Sequence, residues 1–217
     1  MNRHLSLDFW NTLARPNPAF GKARLTFMAD TLHLPEEQVE QAYRTVKTEA
    51  DRQAERFGSA RTCNEIYDLF LARVGKTYAN GTALRNGVDA LFQEHPPDVL
   101  DENIDALLSL QSKAIRLSIT SNTNFVSGHT INATVLETWG VSWDFQIFSD
   151  QVGMSKPHPK VWEMVIEKVR QRTILVNSIY HVGDHRVCDA SCGMHGIRFL
   201  RVNSDIDLAL VLENTFR

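Results

Sequence analysis

The segment His4-Leu5-Ser6-Leu7-Asp8-Phe9-Trp10-Asn11-Thr12 reads as a strand that runs into a functional loop. Leu5, Leu7 and Phe9 are apolar, so a strand is expected over 4–9, although the alternation is imperfect. Asp8 and Thr12 then stand at its end, with Pro16 soon after. A carboxylate at the C-terminal end of a strand lies where open α/β sheets bind ligands.

Two patterns follow this segment. Across 19–96 the apolar spacing is helical, with Leu25, Met28 and Leu32, then Val39, Ala42, Tyr43 and Val46, three or four residues apart. Pro35 suits the first turn of a second helix. Thr62-Cys63-Asn64-Glu65 is a capping box that opens a third, with Ile66, Leu69, Phe70 and Val74 as its stripe. Asn80-Gly81 reads as a stop, 83–94 as a fourth helix, and His95-Pro96-Pro97 as its end. Beyond 97, helices are expected over 104–112, 128–139, 159–170, 187–194 and 206–212. Strands are expected over 115–120, 144–148, 178–182 and 197–202. Strands that alternate with helices pair in parallel through right-handed crossovers. The expectation is an α/β core with an all-helical insert after its first strand.

Composition narrows the function classes. The 217 residues carry a net charge of −3, which gives no bulk electrostatic reason to bind nucleic acid or an anionic membrane. Hydrophobic residues are 43%, enough for one sizeable core. No apolar run approaches the ~18 residues of a membrane helix, and the N-terminus does not read as a signal peptide. Cys63, Cys188 and Cys192 are too few for a disulfide framework and fit a reducing cytoplasm. A small-molecule substrate is the expected partner, and the oligomeric state is left open.

Each predicted strand ends in chemistry. Asp8 is followed by Trp10 and Thr12; Ser121-Asn122-Thr123-Asn124 follows the next strand; a later loop holds Lys156; Gly183-Asp184 precedes Asp189. In a parallel sheet these ends converge at one edge. Asp8 can serve as a carboxylate nucleophile. Thr12, Ser121 and Lys156 offer donors for phosphoryl oxygens, and Asn122 belongs with them as a phosphate-binding candidate. Lys156 can also pair with Asp8 and orient it. Asp8, Asp184 and Asp189 make an oxygen-rich site suited to Mg²⁺.

This ordered set resembles the haloacid dehalogenase-like (HAD) superfamily, most of whose members are phosphatases. The matching residues are Asp8 and Thr12, Ser121, Lys156 ahead of Pro157, and Gly183-Asp184 with Asp189. The resemblance implies a Rossmann-like parallel core (1–18 and 97–217) and a helical cap (19–96) inserted between the first two motifs. It implies an aspartyl-phosphate at Asp8, and Mg²⁺ held by Asp8, Asp184, Asp189 and the backbone carbonyl of Trp10.

One position departs from that pattern. Phosphatases of the family carry a second Asp two residues after the nucleophile, as general acid and base; here it is Trp10. Losing such a group costs on the order of 10²–10⁴-fold. Three remedies are open: an aryl or acyl phosphate whose leaving group needs no proton, an acid from the cap (His33, His95 or Lys22), or a different reaction. Phosphonate-cleaving relatives use a cap lysine, for which Lys22, Lys47 and Lys76 are candidates. Dehalogenases carry an aromatic residue at this position and a cap arginine, for which Arg24, Arg44 and Arg52 are candidates. A weak or inactive relative that keeps the phosphate and Mg²⁺ pocket is a further alternative. Separately, His181, His185, Cys188 and Cys192 have a spacing chemically suited to Zn²⁺.

Overall fold

The computed structural model describes residues 3–171, 178–203 and 207–216. Strand β1 (His4–Leu7) lies at the centre of a five-stranded sheet with β4 (Arg116–Ser121) and β5 (Trp143–Phe148) on one side. On the other side are β6 (Ile179–Gly183) and β7 (Arg198–Arg201). The order is β5-β4-β1-β6-β7 and every pairing is parallel. This is an α/β, Rossmann-like core, as the alternation of strands and helices led one to expect. All four residues of β1 are buried, because a central parallel strand is covered on both faces. That explains its imperfect alternation.

Between β1 and the rest of the sheet stand four helices, α1 (Pro18–Leu32), α2 (Glu36–Phe57), α3 (Cys63–Arg73) and α4 (Gly81–Glu94). Their starts follow local chemistry. Asn17 caps α1 by accepting from Ala19 N, with Pro18 in the first turn. Thr62 and Glu65 complete the expected capping box of α3. Asn80-Gly81 is not a stop: Asn80 Oδ1 accepts from Ala83 N at 3.0 Å and so opens α4. The α3 helix has already ended near Val74, where Gly75 takes a left-handed φ of 71°. A two-residue antiparallel pair, β2 (Ala14–Arg15) with β3 (Asp98–Val99), joins the entry and exit of the helical segment. A pair so short carries no periodic signal in the sequence.

The remaining helices are α5 (Asp101–Ser112), α6 (Gly128–Thr134), α7 (Ser149–Val152), α8 (Pro159–Arg170) and α9 (Leu208–Thr215). Two expected helices are altered. The 128–139 helix breaks at Val135 and resumes as a 3₁₀ turn, Leu136–Trp139. The 187–194 helix is a 3₁₀ segment, Ala190–His195. Ile206, the expected start of the last helix, lies outside the described residues. No helix among the described residues is long and apolar enough to cross a membrane. Trp162 of α8 is fully buried, and its indole N–H donates to Ser191 Oγ at 2.7 Å, pinning α8 to the segment after β6.

Candidate active site

The carboxyl ends of β1, β4 and β6, with the loop between α7 and α8, bring Asp8, Asn122, Lys156, Asp184 and Asp189 to one cavity of about 620 Å³. Asp8 follows β1 directly, and its N–H continues the sheet by donating to Val182 O at 2.9 Å. The chain then turns sharply. Phe9 O accepts from Leu13 N at 2.9 Å and Ala14 N at 3.1 Å, and Asn11 takes a φ of 56°. This turn, which asparagine tolerates better than most residues, presents Trp10 to the cavity.

Lys156 is only 2% exposed. Its ammonium donates to Asp8 Oδ1 at 2.8 Å and to Asp189 Oδ1 at 2.5 Å. Asn122 fixes its backbone at two points: Oδ1 accepts from Lys156 N at 2.8 Å, and Nδ2 donates to Lys156 O at 2.9 Å. Asp189 is held on both oxygens. Oδ1 also meets His181 Nε2 at 3.1 Å, and Oδ2 accepts from His185 N at 2.9 Å. Gly183 permits this approach, because a Cβ there would stand 2.2 Å from Asp189 Oδ2.

The electrostatics follow from burial and pairing. Burial pushes the Asp8 carboxyl up to about 6; Lys156 pulls against this, Asp189 adds to it, and the Ser121 hydroxyl pulls it down. Burial likewise raises Asp184, with Asp189 adding to the effect. Burial opposes the charge on Lys156, but Asp189 and Asp8 outweigh it and hold the ammonium above its ordinary range. Burial also opposes charge on Asp189, yet Lys156 and His181 keep its carboxyl below the usual range. Burial lowers His181, which favours the neutral ring. The oxygens of Asp8, Asp184 and Asp189 come within 4.8 Å of one another. Ionised, these three carboxylates with one ammonium leave two negative charges uncompensated, which a divalent cation neutralises.

The helical segment packs over this edge. Ser155 N donates to Gly58 O at 2.9 Å, Asn124 Nδ2 to Asp51 Oδ1 at 3.1 Å, and His185 Nε2 lies 3.2 Å from Glu55 Oε1. Trp10 sits on the cavity wall, edge-on to Phe9 at 4.9 Å and to Phe92 of α4 at 6.2 Å.

No family model and no curated protein sequence matches the chain. Solved structures do match in shape. The magnesium-bound HAD-hydrolase YfnB from Bacillus subtilis superposes with a TM-score of 0.69 at 19% identity, over 95% of this chain and 91% of that one. A HAD family enzyme from Bacteroides thetaiotaomicron, in complex with magnesium and inorganic phosphate, gives 0.66 at 16% identity over the whole of both chains. The 2-haloacid dehalogenase from Pseudomonas syringae pv. Tomato gives 0.65 at 17% identity, over 99% and 100%. The fold is that of the haloacid dehalogenase-like enzymes.

On this HAD fold, the other residues singled out in the sequence separate into groups. Ser121 is buried beside Asp8, while Thr12 is buried with its hydroxyl unpartnered; neither lines the cavity. Among the cap candidates, Arg24, Lys47 and His95 line the cavity, whereas Lys22, His33, Arg44, Arg52 and Lys76 do not. Lys47 donates to Asp51 Oδ2 at 2.6 Å. The zinc set does not assemble: the group of His, Cys, Asp or Glu close enough to hold a metal, among the described residues, is Asp8, Asp184 and Asp189. Cys188 and Cys192 are buried, and burial pushes both thiols up to about 12, away from the thiolate a metal needs.

His181 has a different place. Its Nδ1 meets Ser6 Oγ at 3.0 Å, and Ser6 donates to Thr120 Oγ1 at 2.9 Å. A buried polar path thus runs through three adjacent strands to Asp189, Lys156 and Asp8. Sequence reading missed Ser6 and Thr120 as supports; the signal for Ser6 was a hydroxyl between Leu5 and Leu7 in the central strand.

Proposed function

We propose that the chain is a Mg²⁺-dependent, HAD-type hydrolase that acts on a small phosphorylated metabolite through an aspartyl-phosphate at Asp8. The single observation that carries this reading is the buried Asp8–Lys156–Asp189 cluster, with Asp184 beside it, at the mouth of one cavity. The magnesium-bound and phosphate-bound relatives of the same fold support it. Residues 1–18 and 97–217 form the core in this reading, and 19–96 the cap that closes over substrate and selects it.

The carboxylate excess fits a divalent cation. Asp8, Asp184 and the Trp10 backbone carbonyl would hold Mg²⁺, with Asp189 completing the set or serving it by anchoring Lys156. Bound Mg²⁺ would supply charge neutralisation between the Asp8 carboxylate and an incoming phosphate dianion. Lys156 restrains Asp8 through Oδ1 and brings positive charge to the phosphoryl oxygens. Asn122 sets the backbone of Lys156 and the Ser121 hydroxyl supports Asp8; Ser121 and Thr12, expected from the sequence as phosphoryl donors, lie buried behind the cavity wall. Asp8 attacks phosphorus, and water then releases phosphate from the carboxyl group.

A panel of phosphate esters assayed with Mg²⁺, wild type against Asp8→Asn, tests this directly. Turnover should vanish in the variant; unchanged turnover eliminates the mechanism. Trp10 favours a second reading, a metal-independent dehalogenase, since halide leaves without a proton, and a 2-haloacid dehalogenase shares the fold. Halide release from a 2-haloacid in EDTA is its required result. A large gain of phosphatase activity in Trp10→Asp, over a silent wild type, would instead mark a disabled enzyme that keeps a binding pocket.

A further inference from the structure

The cavity that holds Asp8 and Lys156 continues along an aromatic wall on which Trp10 and Tyr43 are partly exposed, backed by the buried rings of Phe20, Phe92 and Phe125. These rings are set against one another. Phe92 meets Phe20 edge-on at 5.3 Å, and Tyr43 lies 4.2 Å from Phe125 at a 31° tilt. Arg24 fixes the Tyr43 ring: its guanidinium carbon lies 3.8 Å over that ring, and Nη1 donates to the hydroxyl at 2.8 Å. A volume of about 620 Å³ is in the range that takes a small molecule, and walls of this kind bind flat apolar groups.

The rings of this wall carry no acid for an alkyl leaving group, and His95 is the candidate acid from the helical segment that lines the cavity. The indole of Trp10 donates a hydrogen bond but does not give up its proton to a leaving alkoxide. His185 is engaged on both ring nitrogens, by the Val187 and Cys188 N–H groups at Nδ1 and by Glu55 at Nε2. A phenol has a pKa of about 10, whereas an alkanol lies near the ~15.7 of water. A phenolate therefore departs unaided where an alkoxide does not.

On the phosphatase reading above, we infer that the substrate is a phosphate monoester of an aromatic alcohol, whose ring lies against the aromatic wall. Asp8 forms a bond to phosphorus as the phosphorus–oxygen bond to the ring breaks. The electron pair leaves on the phenolate oxygen, which takes a proton from water. A second water adds to phosphorus, the bond to Asp8 breaks, the carboxylate is restored, and inorganic phosphate carries away that water's oxygen.

The test uses the full chain with Mg²⁺ and three kinds of probe: ring-substituted phenyl phosphates, cyclohexyl phosphate and acetyl phosphate. The expected result is a steep fall of kcat/KM as the pKa of the leaving phenol rises. Cyclohexyl phosphate should lie on the order of 10²–10⁴-fold below phenyl phosphate, the usual contribution of a missing general acid. Acetyl phosphate, a good leaving group without a ring, should show a KM at least about tenfold above that of phenyl phosphate, for the lost ring contacts. Turnover that depends on Asp8 but is flat across the series, or equal KM values for phenyl and acetyl phosphate, overturns this inference alone. A flat series would assign the acid's role to another cavity group such as His95. No turnover of any of these phosphates overturns the phosphatase reading with it.

Discussion

Replacing Lys156 with methionine removes one ammonium from between two buried carboxylates and leaves the stem's volume nearly unchanged. The contacts are 2.8 Å to Asp8 and 2.5 Å to Asp189, and the side chain is 2% exposed. At an effective dielectric of ~20, each contact near 3 Å is worth roughly 5 kcal/mol before desolvation. The burial of the ammonium itself offsets a large part of that. Losing one member of a buried pair costs about 3–5 kcal/mol, mostly because the other charge is left uncompensated. The expected loss for Lys156→Met is therefore about 3–5 kcal/mol at pH 7 in EDTA, read by urea unfolding with tryptophan fluorescence. The sign of the pH dependence follows from the same contacts. Without Lys156, the burial that already raises Asp8 is opposed by the Ser121 hydroxyl alone, so its carboxyl stands further above its ordinary range. The native variant then takes up protons as pH falls, so its deficit against wild type shrinks between pH 8 and 5. A loss under about 1 kcal/mol, or one that does not change with pH, would refute the assignment of Lys156 as the counter-ion of this cluster.

Four further outcomes are expected. In EDTA at pH 7, Asp8→Asn should be more stable than wild type by about 1–3 kcal/mol, because the folded carboxyl titrates near 6 against 3.8 for the free group. A raised carboxyl destabilises only where it is ionised, so urea melts should show that gain fading as pH falls through 6 towards 4. Magnesium at millimolar concentration should raise the Tm of wild type in a thermal melt, and Asp184→Asn should abolish most of the shift. Gly183→Ala should lose about 1–3 kcal/mol, and any magnesium-dependent shift with it, since the new Cβ meets a carboxylate already held on both oxygens. Thr62→Ala should cost about 1 kcal/mol in urea unfolding through loss of the α3 cap, with no change in magnesium response.

Much of this arrangement was legible because the sheet converts distant strand ends into neighbours. Asp8, Lys156, Asp184 and Asp189 were readable from residue type and from their places after predicted strands, and the structure brings them together. Other contacts had no local signature. Asn122 spends both ends of its amide on the backbone of Lys156, 34 residues away, which spacing does not reveal. His181, with His185, Cys188 and Cys192 near it in sequence, has a spacing that suits zinc, but it was expected on a buried strand and the two cysteines facing a core, as found. What the sequence could not show is that strand pairing sets it beside Ser6 and aims it at Asp189. Asn80-Gly81 misled because the same pair can close one helix or cap the next; which applies depends on where the preceding turn ends. The aromatic wall was legible only in part: Phe20 was expected at the mouth between core and helical segment and lines the cavity, whereas Tyr43 read as a helix's apolar face until the helices packed over the sheet edge.

The most direct probe of Asp8 as nucleophile is an acid quench of the Mg²⁺-loaded protein during turnover of ³²P-labelled phenyl phosphate, followed by peptide mapping. Trp10 leaves no base at that position to activate water, so the phosphorylated protein should accumulate. The label should approach one phosphoryl group per chain, be released by hydroxylamine, and map to the peptide containing Asp8. Steady turnover with no label on the protein, or label that persists in Asp8→Asn, would contradict it.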